Sequence, residues 1–583
     1  MFHMVTDTGS LTDHFVNCQC SFSTQVFYTM AFEDLLEIVR GVGRYQVIHV
    51  LLLSFPILFT ASHNLLQNFV AAVPDHRCRL GLGLGHKLNV TWEPLVGDLV
   101  TLFVPVDQQG RADKCRLYTE PQWHLLWSNG TWGNGSGAET QPCTDGWEYD
   151  RSQFSNTIVT EWDLVCGQKA LKRIAQSIYM AGLLIGAIVL GRLSDKYGRR
   201  ALLLWSSLQV AAVGTCCMFS SSIALFYFWR FLSGMAISGV IANTYIFAAE
   251  LIPTRVRTGV ITALNYGYVC GQLMLAGMAF LIRDWRWLQF AVSVPYFVIF
   301  LYIWWLSESP RWLIMNKKAE VALKHLRRMA RINGRQAEGQ NLTTEIIKAK
   351  MEDELSDTRD SHSILDLFRT PGMCRITCCS MVVWFSVSFS YYGLSIDLQG
   401  FGVDIYLIQV IFGAVDIPAK FIGYILMSYI GRRFTQSSSL IMAGCIIVTN
   451  IFLPQEMQTI QMLLVAVGKG CLAAAFSCAF QHTAELFPTV VRLTGMGLAC
   501  SMARVGAIVA PIVRMIGDYV PFLPMAIYGG MAIVAGLAAC CLPETRNMPL
   551  PDTIAEVERR AKKLKKSEKE EIILQETLVK PSV

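Results

Sequence analysis

The sequence predicts an all-α, polytopic membrane protein made of two related six-helix halves. Three observations support this prediction: an apolar composition, twelve apolar runs of membrane-spanning length, and short motifs that recur at a nearly constant offset. Hydrophobic residues make up 53% of the 583-residue chain and charged residues only 16%. This balance is typical of membrane proteins and excludes an ordinary soluble domain of this length.

Each of the twelve apolar runs is close to the ~20 residues that an α-helix needs to cross the hydrocarbon core. The runs lie near 45–66, 173–192, 201–220, 224–248, 259–282, 288–306, 376–396, 405–428, 435–453, 460–482, 493–514 and 524–542. A polar segment follows the first run, and a charged segment follows the sixth. The predicted division is an N-terminal segment at 1–44, helix 1 at 45–66, a loop at 67–172, helices 2–6 at 173–306, a second loop at 307–375, helices 7–12 at 376–542 and a tail at 543–583.

Clusters of basic residues predict the orientation of the helices. Four clusters lie on one side if every run spans: RLSDKYGRR at 192–200, the segment after Arg311, the pair Arg432 and Arg433, and ERRAKKLKK in the tail. Basic loops stay in the cytosol by the positive-inside rule, so both termini are predicted to be cytosolic. These loops and the tail account for the net charge of +6, which gives no reason to expect a nucleic acid partner.

The loop at 67–172 is then mainly extracellular, and its sequence fits an oxidising, glycosylated surface. It carries three N-glycosylation sequons, at Asn89, Asn129 and Asn134. It also carries four cysteines, Cys78, Cys115, Cys143 and Cys166. Four cysteines allow three pairings, and the sequence does not choose between them.

Motifs of the first half recur in the second half in the same order. AELIPTRVRTG from Ala249 matches AELFPTVVRLTG from Ala484, and the turns at Gly198 and Gly431 are each followed by two arginines. The segment LSESPR around Glu308 likewise matches LPETR around Glu544. This predicts duplication of a six-helix unit, as in major facilitator transporters, where the substrate site lies at the midplane between the two halves.

The connection GRLSDKYGRR is similar to the major facilitator motif between the second and third helices. Its Asp195 would pair with Arg199 and Arg200 as a cytosolic latch that breaks in the inward-open state. The alternative is a basic loop that serves orientation alone, and Ser428 replaces the aspartate in the second half. The other predicted gate or fold charges are Glu250, Arg255, Arg257, Glu308, Glu485, Arg492 and Glu544.

Longer blocks resemble one family in particular, the organic anion transporter branch of the organic-ion solute carriers. These blocks include PCTDGWEYDRSQFSNTIVTEWDLVC at 142–166, SESPRWL, FGAVDIPAK at 412–420, VGKGCLAA, AELFPT and LPETRNMPLPDT. The resemblance covers about 30–552. It implies a plasma-membrane secondary transporter that moves amphipathic organic anions by alternating access. It also implies exchange for an intracellular dicarboxylate such as 2-oxoglutarate; candidate substrates are carboxylates, sulfate conjugates and urate.

Arg504 is the leading candidate for the substrate site. It is the only charged residue between Leu493 and Val513, which places a guanidinium near the bilayer midplane. A charge at this depth is costly and normally faces a bundle interior or a water-filled cavity. The resemblance implies that the eleventh helix faces the cavity, where a guanidinium can bind a carboxylate or sulfate in a bidentate manner. The alternative is a structural pair with an acid on another helix.

Lys420 is the second candidate cation, and the resemblance assigns it an anion-binding role. The alternative is a local ion pair with Asp416, four residues earlier, although Pro418 between them distorts the helix. Lys469 and Arg230 also lie in apolar runs and are expected to pair with gate carboxylates. Aromatic side chains predicted to cover the apolar body of the substrate are Tyr268, Trp384, Tyr391, Tyr392 and Phe476.

Other functions find little support in the sequence. It has no nucleotide-binding G-x-x-x-x-G-K-[ST] motif, nucleophile elbow or metal-ligand spacing, so neither an enzyme nor a cofactor or metal is predicted. The remaining alternatives are a zwitterion or organic cation carrier, which Arg504 disfavours, and a non-transporting ligand sensor of the same fold.

Overall fold

The computed structural model describes residues 31–79, 102–106, 112–122, 139–347, 364–396, 398–401, 404–454, 457–488, 490–548, 550–551 and 553–562. Twelve long helices dominate. The first six are α1 (Arg44–Leu65, continued by Gln67–Val70), α2 (Lys169–Tyr197), α3 (Arg199–Met218), α4 (Ile223–Leu251), α5 (Thr254–Leu281) and α6 (Trp285–Ser293 and Pro295–Ile303). The last six are α7 (Pro371–Ser395), α8 (Ile405–Tyr429), α9 (Arg432–Thr449), α10 (Gln458–Leu486), α11 (Arg492–Ile516) and α12 (Leu523–Cys540).

Shorter elements connect the long helices. Six short helices lie at Ala31–Ile38, Ile158–Glu161, Pro310–Met315, Ala319–Ile332, Gln336–Gln340 and Asp366–Arg369. Turns of 3₁₀-helix lie at Cys166–Gln168, Leu398–Phe401 and Asn450–Phe452. Two antiparallel strand pairs join β1 (His76–Cys78) to β4 (Trp147–Tyr149), and β2 (Arg116–Tyr118) to β3 (Thr140–Pro142).

The prediction of an all-α fold with twelve spanning helices is confirmed. Within the described residues, eleven helices are long and apolar enough to cross a membrane. The twelfth is α5, which is equally long but carries the polar residues Asn265 and Gln272 within its apolar stretch. Among the described residues, the strands all lie in the segment between α1 and α2, which lies outside the spanning helices.

The helices pack as two six-helix bundles. In the first, α2 packs along α4, and α1 packs on α5. In the second, α7 packs on α11, and α9 packs on α12. Small residues permit the closest approaches: a Cβ at Gly186 of α2 would clash with the backbone of Met235 in α4. Close contact at glycines is the usual way in which membrane helices gain packing energy, since lipid supplies no hydrophobic force between them.

Both predicted disulfides form in the segment between α1 and α2. Cys78 pairs with Cys143, and Cys115 pairs with Cys166. The structure thereby selects one of the three pairings that the sequence left open. The sequons at Asn89, Asn129 and Asn134 lie outside the described residues.

The molecule has two chemically distinct ends. The disulfide end carries the disulfide-linked segment, the start of α2 and the end of α11. The basic end carries the α2–α3 and α8–α9 turns with their arginines. The described hydrogen bonds between the bundles lie toward the disulfide end. Examples are Ser177 Oγ to the Ile508 carbonyl (2.9 Å) and Asn68 Nδ2 to the Ser395 carbonyl (2.8 Å).

Candidate functional site

Arg504 lies in the middle of α11, half-buried, as its position in the apolar run predicts. Its positive charge acts on the phenol groups of Tyr392 in α7 and Tyr179 in α2. Within the part of the chain that the structure describes, no carboxylate forms an ion pair with Arg504. The alternative role as a structural ion pair therefore has no described partner.

Three of the predicted tyrosines come together beside this arginine. The Tyr392 and Tyr268 phenol groups interact across the two bundles, and the Tyr268 hydroxyl accepts a hydrogen bond from Asn64 Nδ2 of α1 at 3.2 Å. The Tyr391 ring stands edge-on to the Tyr392 ring, with the centroids 5.6 Å apart. Polar groups from both bundles thus lie close together, and the Arg504 charge acts on one of them from each bundle, Tyr392 and Tyr179. Asn64 is a contributor that the sequence analysis missed.

The predicted aromatic residues of the second bundle form a continuous cluster. The Phe476 ring lies 5.7 Å from the Trp384 ring and 6.2 Å from the Tyr391 ring, measured between centroids. Trp384 is only 1% exposed, and its indole N–H donates to Thr483 Oγ1 at 2.9 Å. Phe480, which the sequence analysis did not name, packs 4.5 Å from the Trp384 ring. Trp384 therefore supports the aromatic cluster from within the bundle.

A buried ion pair connects α8 to α10. Lys469 Nζ lies 2.8 Å from both carboxylate oxygens of Asp416 and donates to the Phe412 carbonyl at 3.0 Å. Both side chains are at most 1% exposed. Small residues bring the helices this close, since a Cβ at Gly470 would lie 2.9 Å from Val415. The expectation that Lys469 pairs with a gate carboxylate is wrong.

The reason for this error is depth along the helix. Glu485, the gate carboxylate of α10, lies 16 residues from Lys469, or about 24 Å at 1.5 Å per residue. Arg230 of α4 is likewise 20 residues from Glu250, about 30 Å away. Its expected pairing with a gate carboxylate is also wrong. It instead stacks on the Tyr179 ring at 4.3 Å, and its Nη2 contacts Gln176 Oε1 at 3.5 Å.

Lys420 is left without the local partner that the sequence suggested. Asp416 bonds to Lys469 instead, and its Oδ2 also accepts from the Tyr391 hydroxyl at 3.2 Å. Among the described residues, Lys420 forms no ion pair or hydrogen bond. The i,i+4 ion pair between Asp416 and Lys420 is therefore not formed in this structure. Lys420 and Arg504 are both intramembrane cations that form no ion pair among the described residues, although the Asp416 charge also acts on Lys420.

Gln272 of α5 extends the Asp416 network into the first bundle. Its Nε2 donates to the Tyr391 hydroxyl at 3.2 Å and to Asp416 Oδ2 at 3.4 Å. The sequence analysis gave Gln272 no role. The sequence could have indicated this role, because a glutamine side chain in an apolar run needs hydrogen-bond partners when it is buried.

The gate charges at the basic end form two similar clusters. In the first bundle, Arg199 pairs with Asp195 at 2.8 Å and with Glu250 at 3.2 Å. Glu308 accepts hydrogen bonds from the backbone amides of Arg199 and Arg200, each at 3.1 Å. These ion pairs join helices of the same bundle. They are formed even though the described contacts between the two bundles lie at the opposite, disulfide end. This differs from the expected latch, which would break when the cytosolic side opens.

The second bundle repeats this arrangement without the aspartate. Arg432 pairs with Glu485 at 3.1 Å, and Glu544 accepts from the backbone amides of Arg432 and Arg433 at 2.8 and 2.9 Å. The turns of both clusters begin at glycines with positive φ, 104° at Gly198 and 129° at Gly431. A Cβ at either glycine would press on the Glu308 or Glu544 carboxylate, 2.5 or 2.6 Å away.

Three further predicted gate residues lie at helix ends nearby. Arg257 donates to the Ile252 carbonyl at 3.3 Å, and Arg492 donates to the Phe487 carbonyl at 3.1 Å. Each therefore stabilises the turn that precedes its own helix. The side chain of Arg255 lies outside the described residues.

The pKa values of the two cluster glutamates move in opposite directions. Burial raises the pKa of Glu308, and its hydrogen bonds from backbone amides only partly offset this. Glu544 is more exposed, so the burial effect on its pKa is outweighed by the backbone amides of Arg432, Arg546, Arg433 and Thr545, which lower it. The folded protein therefore favours the ionised form of Glu544 and disfavours that of Glu308.

Comparison with known proteins agrees with this architecture. Residues 141–555 match the family described as Sugar (and other) transporter. Solute carrier family 22 member 6-A of Xenopus laevis is 51% identical over 93% of this chain and 97% of its own length. Member 6 of Danio rerio is also 51% identical (91% and 95% covered), and member 20 of Mus musculus is 48% identical (91% and 95% covered).

A solved structure shows the same fold. The xylose transporter XylE of E. coli, in its inward-open conformation, aligns with a TM-score of 0.57 at 15% identity, covering 87% of this chain and 98% of its own. The paired six-helix bundles and these matches define a transporter of the major facilitator superfamily. The chain belongs to solute carrier family 22 and, within it, to the organic anion transporter branch. It is a multi-pass plasma-membrane carrier of organic anions and not an enzyme.

Proposed function

We propose that this protein exchanges amphipathic organic anions for an intracellular dicarboxylate such as 2-oxoglutarate. Carboxylates, sulfate conjugates and urate are the candidate substrates. The observation that carries the proposal is the half-buried Arg504, which lies beside Tyr392 and pairs with no described carboxylate. An intramembrane charge without a protein partner favours a ligand of opposite sign.

The proposed site divides the recognition of an amphipathic anion between two kinds of residue. Arg504 would hold the carboxylate or sulfate through two parallel N–H···O bonds, and the hydroxyls of Tyr268 and Tyr392 would donate further hydrogen bonds. Phe476 and Tyr391 would cover the apolar body, with Trp384 supporting the cluster. Lys420 is a second unpaired cation on a different helix, which suits a counter-substrate with two carboxylates.

Alternating access follows from the way in which the two bundles meet. In this conformation the bundles are joined toward the disulfide end by α2 with α11 and by α5 with α8. We assign the basic end and both termini to the cytosol, and the disulfide end with its sequons to the outside. The site is then closed to the outside and accessible from the cytosol, where the dicarboxylate is bound or the substrate is released.

Uptake into cells tests the proposed role of Arg504. Wild type is compared with Arg504→Ala, Arg504→Lys and Arg504→Asp for uptake of a labelled amphipathic anion and a labelled organic cation, with surface protein quantified. Arg514→Ala, at the disulfide end of the same helix, is the matched control. We expect anion uptake to fall at least tenfold in the Ala and Asp variants, partial retention in Lys, and none of this loss in the control. Full uptake in Arg504→Ala, or cation uptake by wild type, would contradict the proposal.

Preloading tests the exchange. Cells loaded with 2-oxoglutarate should take up the labelled anion severalfold faster than unloaded cells, and outward movement of labelled 2-oxoglutarate should depend on external anion. Uptake that is unaffected by preloading would leave anion transport in place and reject exchange.

A further inference from the structure

Five cysteines gather at the basic end of the second bundle. Cys374 and Cys378 lie on successive turns of α7, with their sulfur atoms 4.0 Å apart. Cys540 ends α12, and Cys541 follows it. The antiparallel helices α7 and α12 pack against each other, so the start of α7 and the end of α12 bring their thiols to the same end of the bundle. Cys379 packs against the buried cluster that includes Met373, so we call the other four the thiol edge.

The thiol edge differs from the other exposed cysteines of the helices in its position. Cys216, Cys270 and Cys445 are also exposed, but they lie nearer the disulfide ends of α3, α5 and α9. Cys217 and Cys478 are buried, as expected of cysteine acting as a small hydrophobic residue. By contrast, Cys378, Cys540 and Cys541 are exposed, and Cys374 is half-exposed. Packing inside the protein therefore does not explain the exposed side chains.

The thiol edge lies at the ends of two membrane-spanning helices. α7 begins at Pro371, so Cys374 and Cys378 lie about 4.5 and 10 Å along the helix from its first residue. Cys540 lies in the last turn of the antiparallel helix α12. Exposed Arg375 and Arg369 lie beside them at this end, where cations attract the anionic lipid headgroups of the cytosolic leaflet.

Two other uses of clustered thiols find no support in the structure. None of the five forms a disulfide. No group of three or more metal-ligating side chains among the described residues is arranged to hold a metal ion. Juxtamembrane cysteines at a cytosolic boundary are instead the usual acceptors of reversible S-acylation.

We propose that the thiol edge is a site of S-acylation by a long-chain fatty acyl group. The thiolate sulfur attacks the carbonyl carbon of a fatty acyl–coenzyme A thioester and forms a new sulfur–carbon bond. The bond to the coenzyme A sulfur breaks, and coenzyme A leaves as a thiol with the proton that the cysteine gave up. No oxidant or reductant is needed. The acyl chain inserts into the leaflet and anchors the basic ends of α7 and α12.

The C-terminal tail also contacts the basic end of α7. The Glu558 carboxylate accepts hydrogen bonds from the backbone amides of Gly372 and Met373 at 2.6 and 3.2 Å, in the first turn of α7. Val557 is buried in the same contact, against a cluster that includes Met373. Acylation at Cys374 would therefore lie one turn from the docked tail and hold that region at the membrane surface.

The test uses the full-length protein in cells fed an alkyne analogue of palmitate, 17-octadecynoic acid, with hydroxylamine release to identify thioesters. Variants are Cys374→Ser/Cys378→Ser/Cys540→Ser/Cys541→Ser together and each of the four alone. Cys216→Ser is the matched control, because it removes an exposed thiol of α3 at the disulfide end. We expect a labelled wild type, at least a tenfold loss in the quadruple variant, a partial loss in at least one single variant, and an unchanged control.

An unlabelled wild type, or label that persists in the quadruple variant, would overturn the proposal. If the quadruple variant fails to accumulate, single variants that all keep full label would overturn it equally. Because acylation rests on the proposed cytosolic position of the basic end, intact cells are also treated with a membrane-impermeant maleimide. Maleimide labelling of the thiol edge from outside the cell would refute the topology. A thiol edge that neither reacts with the maleimide nor carries an acyl group would refute acylation alone.

Discussion

At the residue scale, the described helices of the second bundle carry three cations away from their ends, of which one forms an ion pair and two do not. Lys469 is held by Asp416, whereas Lys420 and Arg504 have no described partner. The sequence identified Arg504 because a lone charge in an apolar run is visible without a structure. It did not identify the Asp416 partner, because that choice depends on how closely α8 approaches α10 at Gly470.

The Asp416–Lys469 pair makes a direct prediction for stability. Asp416→Asn leaves a buried ammonium group with a neutral partner, and loss of one member of a buried ion pair costs about 3–5 kcal/mol. We expect a severalfold fall in mature protein at the cell surface, measured by surface biotinylation. The double variant Asp416→Leu/Lys469→Met should recover part of this loss, because no charge is then buried alone.

Lys420→Met is the matched control on the same helix. It removes a cation without a described partner, so surface protein should be unchanged while anion uptake falls. Equal surface loss in Lys420→Met and Asp416→Asn would contradict this division of the cations.

At the element scale, the sequence predicted the helices well because each must satisfy its own backbone hydrogen bonds across the membrane. Through the repeat it also identified the matching charges Glu308 and Glu544, but not the contacts that they make. It could not predict that the two clusters differ electrostatically, because burial of Glu308 and exposure of Glu544 depend on how the helix ends pack.

The opposite pKa shifts of the two glutamates predict opposite contributions to stability. Glu544 has a lowered pKa, so it stabilises the folded state above its ordinary pKa and loses this contribution as the pH falls through the lowered value. Glu308 has a raised pKa, so its ionised form weakens the fold at neutral pH. At pH 7.5, Glu544→Gln should therefore lower the Tm of the purified protein in detergent by about 2 °C or more.

Glu308→Gln, at the matching position of the first bundle, should lower the Tm less. Thermal unfolding of both variants at the same pH measures the difference. A larger fall in Tm for Glu308→Gln than for Glu544→Gln would contradict this prediction. It would show that the hydrogen bonds from the arginine amides outweigh the burial of Glu308 in setting stability.

At the scale of the whole molecule, the repeat predicted two bundles but not the conformation in which they meet. An ion pair between bundles closes the disulfide end: Arg173 of α2 binds both oxygens of Asp518, after α11, at 2.7 and 3.2 Å. Neither residue was singled out from the sequence, because both lie near helix ends, where charges are ordinary. Only the assembled bundles bring them together.

This ion pair predicts a shift between transport states. Asp518→Ala should open the disulfide end more often and expose the space between the bundles that Gln67 lines. A cysteine introduced as Gln67→Cys should then react severalfold faster with an impermeant thiol reagent added outside cells, above the background of the parent protein. The exchanged pair Arg173→Asp/Asp518→Arg should restore slow labelling. No change in rate in Asp518→Ala would contradict a role for this ion pair in closure.

The central claim is that Arg504 binds the negative group of the substrate, and affinity measured on purified protein tests it most directly. Binding of a labelled amphipathic anion would be compared in wild type, Arg504→Ala, Arg504→Lys and Arg514→Ala, with Tm recorded for each. A hydrogen bond to a charged group contributes about 1.5–3 kcal/mol, so Arg504→Ala should lose about tenfold to a hundredfold in affinity, with its Tm unchanged. Arg504→Lys should recover part of the affinity, and Arg514→Ala should match wild type. Unchanged affinity in Arg504→Ala would contradict the account and direct attention to Lys420.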